Sequence, residues 1–326
     1  MTKRILAIDG GGVRGVIPAV LLSSLEAATG GRAREQFDLV AGTSTGALLA
    51  AGVAARVPAA EMVDLYQRRA PRVFRRTPLL STLRRIAVGH MYDVGRLHRL
   101  IGRTLADHGA GEWTLNDVGI DVMFTAKGLV DSHQWYFVND RPQRNSCRTG
   151  TLRLDDCLTA SAAAPTFFAP WTVRGLEARG PMVDGGTGVA GNPVYQACVE
   201  AFQFSAGYDP ADTIVVSLGT GHFLGRRRPT WLWSWVGWLL TELLRSPGEQ
   251  QTELVDRHWP SATFYRIDVE LPRDYPMDDA RNIAALRDHG EQLAAEVDWP
   301  AILDGRDEEW LVRRRGVRPP AYAEPV

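Results

Sequence analysis

Apolar residues occur in short runs along this chain, and the period of the runs changes in a fixed order. Residues 4–9 (RILAID) form a compact apolar run without alternation, which predicts a short strand buried on both faces. Residues 16–28 then place Ile17, Val20, Leu21, Ser24, Leu25 and Ala28 at helical spacing, with the glycine-rich stretch 10–15 between. The order recurs at once: residues 37–41 (FDLVA) predict a strand, 47–55 (ALLAAGVAA) a helix, and 42–46 the connection. Two consecutive units of strand, glycine loop and helix predict an α/β fold with a mostly parallel central sheet covered on both sides by helices.

Further along, residues 120–126, 134–138 and 213–218 read as strands, and 154–164 as a helix stopped by Pro165. Residues 174–179 suggest a hairpin edge. Gly- and Pro-rich breaks at 221–229 and 245–248 bracket a Trp-rich insertion. No repeat or low-complexity linker divides the chain, so residues 1–312 are expected to form one domain and 313–326, rich in Arg and Pro, an irregular tail.

Composition narrows the function. A chain of 326 residues that is 45% hydrophobic can bury a large core, and a formal net charge of -1 gives no global field to draw a nucleic-acid polymer. Cys147, Cys157 and Cys198 are too few and too scattered for a disulfide framework or a zinc site, which points to a reducing compartment and no metal. The N-terminal apolar run meets glycines too soon to be the core of a signal peptide, so the expectation is cytoplasmic. No apolar stretch approaches the roughly 20 residues of a spanning helix, so any membrane contact is expected to be peripheral, at the inner face.

Three motifs carry chemistry. Gly42-Thr43-Ser44-Thr45-Gly46 is a G-x-S-x-G sequence between a predicted strand and helix, the context of a nucleophile elbow. Its plain alternative is a serine N-cap on a tight turn. Asp9-Gly10-Gly11-Gly12-Val13-Arg14-Gly15 brings bare backbone amides to the start of a helix, where they can hold an oxyanion or a phosphate. Nucleotide binding is disfavoured because no Walker lysine follows and the Rossmann glycine spacing is incomplete. Arg14 adds a cation nearby; its alternative role is to pair with a carboxylate such as Asp9. Asp184-Gly185-Gly186 follows an apolar Pro181-Met182-Val183, placing a carboxylate at a strand end. The seven histidines, His90, His98, His108, His133, His222, His258 and His289, show no triad-like setting, so a direct Ser–Asp pair suits the sequence better.

The ordered set DGGGVRG, GTSTG and DGG resembles the patatin-like phospholipase family. Residues 37–41, Tyr92-Asp93 followed by Leu97, 160–168 (ASAAAPTFF), Gly191-Asn192-Pro193 and 217–221 (SLGTG) extend the likeness in family order from about residue 4 to about residue 270. The resemblance implies a patatin-like three-layer α/β fold and a serine hydrolase that cleaves phospholipid acyl esters. It makes Ser44 the nucleophile, Asp184 the base, and Gly10, Gly11 and Gly12 the oxyanion donors with Arg14 in support. It implies no cofactor. Some bacterial patatin-like proteins are antiphage effectors switched on by cyclic nucleotides, which leaves a small-molecule activator open. Rival readings are a carboxylesterase or acyltransferase on soluble acyl esters, and a non-enzymatic phosphate- or nucleotide-binding module.

Two features bear on the substrate. Trp231, Trp233, Trp235 and Trp238 crowd together after Arg226-Arg227-Arg228, either as core or acyl-groove rings or as a membrane-surface element. Residues 68–103 hold ten arginines against the single acid Asp93, whereas 268–309 hold thirteen acids against four arginines. These segments either pair or form solvated faces, or the basic one meets anionic headgroups.

Overall fold

The computed structural model describes residues 2–74, 89–140, 149–223, 230, 235 and 248–312. Seven strands form one sheet: β1 (Lys3–Ile8), β2 (Leu39–Thr43), β3 (Asp121–Gly128), β4 (Gln134–Val138), β5 (Met182–Asp184), β6 (Thr213–Leu218) and β7 (Thr263–Ile267). Their order is β4-β3-β2-β1-β6-β7, with β5 paired to β3. The contacts β3–β2, β2–β1, β1–β6 and β6–β7 are parallel, while β4 and β5 run antiparallel to β3.

Helices cover both faces. In β1, Leu6 and Ile8 enter one core and Ile5 and Ala7 the other, all fully buried. That two-sided burial is why the strand shows no polar alternation. On the first face lie α1 (Val16–Thr29), α2 (Thr45–Ala54), α3 (Ala59–Arg68), α4 (Val94–Asp107) and α5 (Leu154–Ser161). The second face is closed by α6 (Val194–Val199), which contributes Val194, Ala197 and Cys198, together with Val255 from helical residues 248–258. Near the C-terminus, α7 (Ile283–Ala295) packs on α1 and is followed by α8 (Trp299–Leu303). A Cβ at Gly290 would stand 3.2 Å from Val20 Cβ and 3.3 Å from Ile17 Cα, so the α1–α7 approach uses the missing side chain.

The five predicted strands and three predicted helices are present within a few residues of their expected limits. Residues 174–179 are not a hairpin edge. They form an irregular connection ending in the 3-10 turn Glu177–Arg179, because Arg174 is drawn to buried Asp156 and the Gly175 amide donates to Glu177. Helices α3, α4 and α7 and strand β7 were not anticipated. Four of the six described arginines of the basic segment pair with acids nearby in sequence or on adjoining helices: Arg68 with Asp64, Arg69 with Asp107, Arg96 and Arg99 with Asp93. Cys157 and Cys198 are free and buried. Cys147, residues 75–88 of the basic segment, Trp231, Trp233, Trp238, Arg226 to Arg228 and the tail 313–326 lie outside the described residues.

Candidate functional site

The site is made where two strands meet end to end. Strand β2 runs up beside β3 and pairs Thr43 with Thr125, while β5 runs the opposite way beside the same strand and pairs Asp184 with Ala126. Since β4 occupies the other side of β3, β2 and β5 share one column, and the residue leaving β2 faces the residue ending β5. Those residues are Ser44 and Asp184, brought close enough for the Ser44 side chain to lower the pKa of the Asp184 carboxyl.

The turn that delivers Ser44 is tight. Ser44 has φ 56° and ψ -124°, in the left-handed half of backbone space that L side chains rarely adopt, and α2 begins at the next residue. A Cβ at Gly42 would overlap Gly46 O, and one at Gly46 would overlap Ile8 O, so both flanking glycines are dictated by backbone approach. Helix α2 starts at Thr45, two residues before its apolar run suggests. Below the turn, Thr43 Oγ donates to Ala190 O, so Thr125 Oγ must donate to Thr43 Oγ at 2.7 Å. The Ser44 amide donates to Ser161 Oγ at 3.1 Å, from the last turn of α5.

Asp184 is 5% exposed and accepts from Gly186 N at 2.8 Å. Burial pushes its carboxyl up to about 6 from 3.8, against the opposing pull of the Ser44 side chain and the Gly186 amide. Its own amide donates to Ala163 O just beyond α5, so the end of that helix holds both partners of the pair. Among the described residues no histidine is bonded to either. His98 meets Thr159, His108 meets Glu61, His133 pairs with Asp131, His222 with Asp268, His258 with Tyr195 and His289 with Tyr275.

The glycine-rich loop lies alongside Ser44: a Cβ at Gly10 would stand 3.3 Å from Ser44 Cβ. The three glycines are not equivalent. Gly10 N donates to Gly191 O at 2.9 Å, and Gly10 O accepts from Thr220 Oγ, so Gly10 anchors the loop. Gly11 and Gly12 donate their amides to no described residue. Arg14 does not pair with Asp9; its guanidinium bonds Gly221 O at 3.4 Å, and burial lowers its pKa while Asp274, Asp268 and Asp9 work to hold it up.

Asp9 instead forms a bidentate pair with Arg266, at 3.0 and 2.6 Å. Arg266 also reaches Ser217 Oγ and Asp268, and Asp268 accepts from Gly221 N and meets His222. Burial raises Asp9 to about 6 against the pull of Arg266. For Asp268 burial acts in the same direction, but Arg266 and His222 prevail and hold it down at about 2. This ionic knot fastens the glycine loop to β6 and β7. It had no motif to reveal it: Arg266 sits in a strand that sequence patterning missed, and Ser161 looks like any small residue of a buried helix end.

A loop of free amides, a serine held out of a strained turn and a buried carboxylate beside it form an arrangement able to carry out acyl transfer. Comparison with known proteins agrees on the kind of protein this is. The family model for patatin-like phospholipase matches residues 6–198. A cGAMP-activated phospholipase of Vibrio cholerae is 27% identical over 90% of this chain and 90% of its own length. Patatin-like protein 2 of Arabidopsis thaliana is 30% identical over 82% of this chain and 73% of its own. Among solved structures, VipD from Legionella pneumophila superposes with a TM-score of 0.50 at 12% identity, covering 90% of this chain and 67% of that one, a likeness of fold alone. The chain belongs to the patatin-like phospholipase family.

Proposed function

We propose that this protein cleaves the acyl esters of membrane phospholipids, with Ser44 as nucleophile and Asp184 as its base. The observation that carries the reading is the juxtaposition of those two side chains where β2 and β5 end beside β3, close enough for Ser44 to lower the Asp184 pKa, with no histidine bonded to either among the described residues. Ser44 Oγ attacks the ester carbonyl carbon as its proton passes to Asp184, and the carbonyl oxygen becomes an oxyanion. The free amides of Gly11 and Gly12 are the donors for that charge, with Arg14 nearby. Collapse breaks the ester C–O bond, Asp184 returns the proton to the departing lysophospholipid oxygen, and water then releases the fatty acid from Ser44 by the reverse assignment. A carboxyl at about 6 is a better proton acceptor near neutral pH than an ordinary aspartate, which supports its role as base.

Among the described residues no helix is long and apolar enough to cross a membrane. A relative named a cGAMP-activated phospholipase, aligned over 90% of this chain, supports an activator-gated enzyme with a cyclic dinucleotide as the activator. Adding cGAMP to the purified protein then raises phospholipid hydrolysis above its basal rate; a rate indifferent to cGAMP removes that part of the proposal.

The test of the nucleophile is labelling by a fluorophosphonate, with the modified residue mapped by mass spectrometry. The phosphonyl group is expected on Ser44 and is lost in Ser44→Ala. Absence of labelling on the folded protein leaves the glycine loop as a phosphate-binding module and defeats the enzymatic reading.

A further inference from the structure

The end of the sheet that carries Ser44 also carries three of the five exposed large hydrophobic side chains among the described residues. Strand β3 runs three residues past the level of Thr43, to Gly128, and at about 3.3 Å per residue its hairpin with β4 projects roughly 10 Å beyond the nucleophile's strand. The tip bears Leu129 and Val130, 54% and 73% exposed. Beside it is Val189, 51% exposed, five residues after Asp184 and next to Gly188, whose neighbour is Gln134 of β4. Three of the five exposed large hydrophobic residues thus gather on one rim.

Cations flank them. Arg179 is exposed, lies 5.8 Å from the centre of the Trp135 ring and, among the described residues, has no carboxylate partner. Lys127 donates to Ser132 O and likewise meets no carboxylate. The nearby acids are engaged in shaping the loops: Asp131 accepts from His133 N and Trp135 Nε1, and Glu177 from Gly175 N. Apolar tips, a half-buried tryptophan and unpaired cations on one edge match the layering of a bilayer surface, where acyl chains, the interface and anionic headgroups follow in order.

We propose that the 128–133 hairpin and Val189 form the membrane-docking rim of this enzyme, seating it on an anionic phospholipid surface with the Ser44–Asp184 slot facing the lipid. This rests on the enzymatic reading above and adds the surface through which it reaches its substrate. It assigns the contact to residues distinct from the Trp-rich insertion.

The test compares the parent with Leu129→Asp/Val130→Asp and with Arg179→Ala on vesicles of phosphatidylcholine with and without phosphatidylglycerol, and on a soluble p-nitrophenyl ester. The double variant is expected to lose tenfold or more in vesicle binding and vesicle hydrolysis while keeping parental turnover of the soluble ester. Arg179→Ala is expected to weaken binding about fivefold, only on the anionic vesicles and less at high salt. A double variant that binds and hydrolyses vesicles like the parent overturns the proposal, as does one that only dissolves a dimer without changing vesicle binding. If the parent itself, with cGAMP present, fails to turn over the soluble ester, it is the hydrolase reading that has failed instead.

Discussion

At the scale of single residues, the pair Ser44 and Asp184 combines two unfavourable features that serve chemistry. The serine is held at φ 56°, and the carboxylate is buried where its charge is poorly solvated. The second has a measurable sign. Asp184 titrates near 3.8 when unfolded and near 6 when folded, so between those values the folded state keeps a proton the unfolded chain has released. Its ionised form therefore opposes folding fully above about pH 6 and not at all below pH 3.8. Asp184→Asn should abolish turnover yet stabilise the protein by about 1–3 kcal/mol at neutral pH, a gain that vanishes in melts below pH 4. In the parent, kcat/KM should fall about tenfold per pH unit below about 6, as the base is protonated. Ser161 tests the turn itself. Removing its hydroxyl leaves the part-buried Ser44 amide without that acceptor, so Ser161→Ala should slow phosphonylation by a fluorophosphonate about tenfold. An unchanged phosphonylation rate would show that this hydrogen bond does not position the serine.

At the scale of elements, the glycine-rich loop is only as well placed as the strands it is tied to. Arg266 on β7 binds Asp9 at the end of β1 and Asp268 beyond its own strand, so one guanidinium neutralises two buried carboxylates. Arg266→Met should cost about 3–5 kcal/mol in denaturant unfolding, since buried Asp9 loses its partner and Asp268 is left with His222 and the Gly221 amide, and should lower kcat by loosening the Gly10–Gly12 amides. A cost below about 1 kcal/mol would mean water replaces the arginine. This layer of the molecule was the least legible from sequence. DGGGVRG, GTSTG and DGG could be read because backbone approach forces glycine there, as the overlaps at Gly42 and Gly46 show. The loop donors could not be separated in advance, because which amide is taken depends on Gly191 O reaching Gly10 from far along the chain. The 174–179 reading failed for a related reason: Asp156 pulls Arg174 away from any strand geometry, and no local pattern records a long-range ion pair.

At the scale of the molecule, the catalytic motifs end well before the fold does. The family match stops at residue 198, yet β6 is the parallel neighbour of β1, is buried along its whole length, and carries β7 on its other side. A fragment ending at residue 198 should therefore fail to show a cooperative melt, because β1 loses a ladder and one core loses Val215, Phe264 and Val255. A folded, labelled fragment would place the domain boundary far earlier than residue 312. The α/β class and strand order near the site were legible because parallel strands buried on both faces leave unbroken apolar runs. Helix α4 carries a legible stripe, with Leu97, Ile101 and Leu105 buried at helical spacing, so its absence from the expected elements reflects no lack of pattern.

The central claim is that a serine–aspartate pair in this slot cuts phospholipid esters. It is tested most directly by incubating the purified protein, with cGAMP present, on mixed phospholipid vesicles and identifying the released fatty acids and lysolipids by mass spectrometry, beside Ser44→Ala and Asp184→Asn. The account predicts release by the parent and none by either folded variant; near-parental release by Asp184→Asn would contradict it.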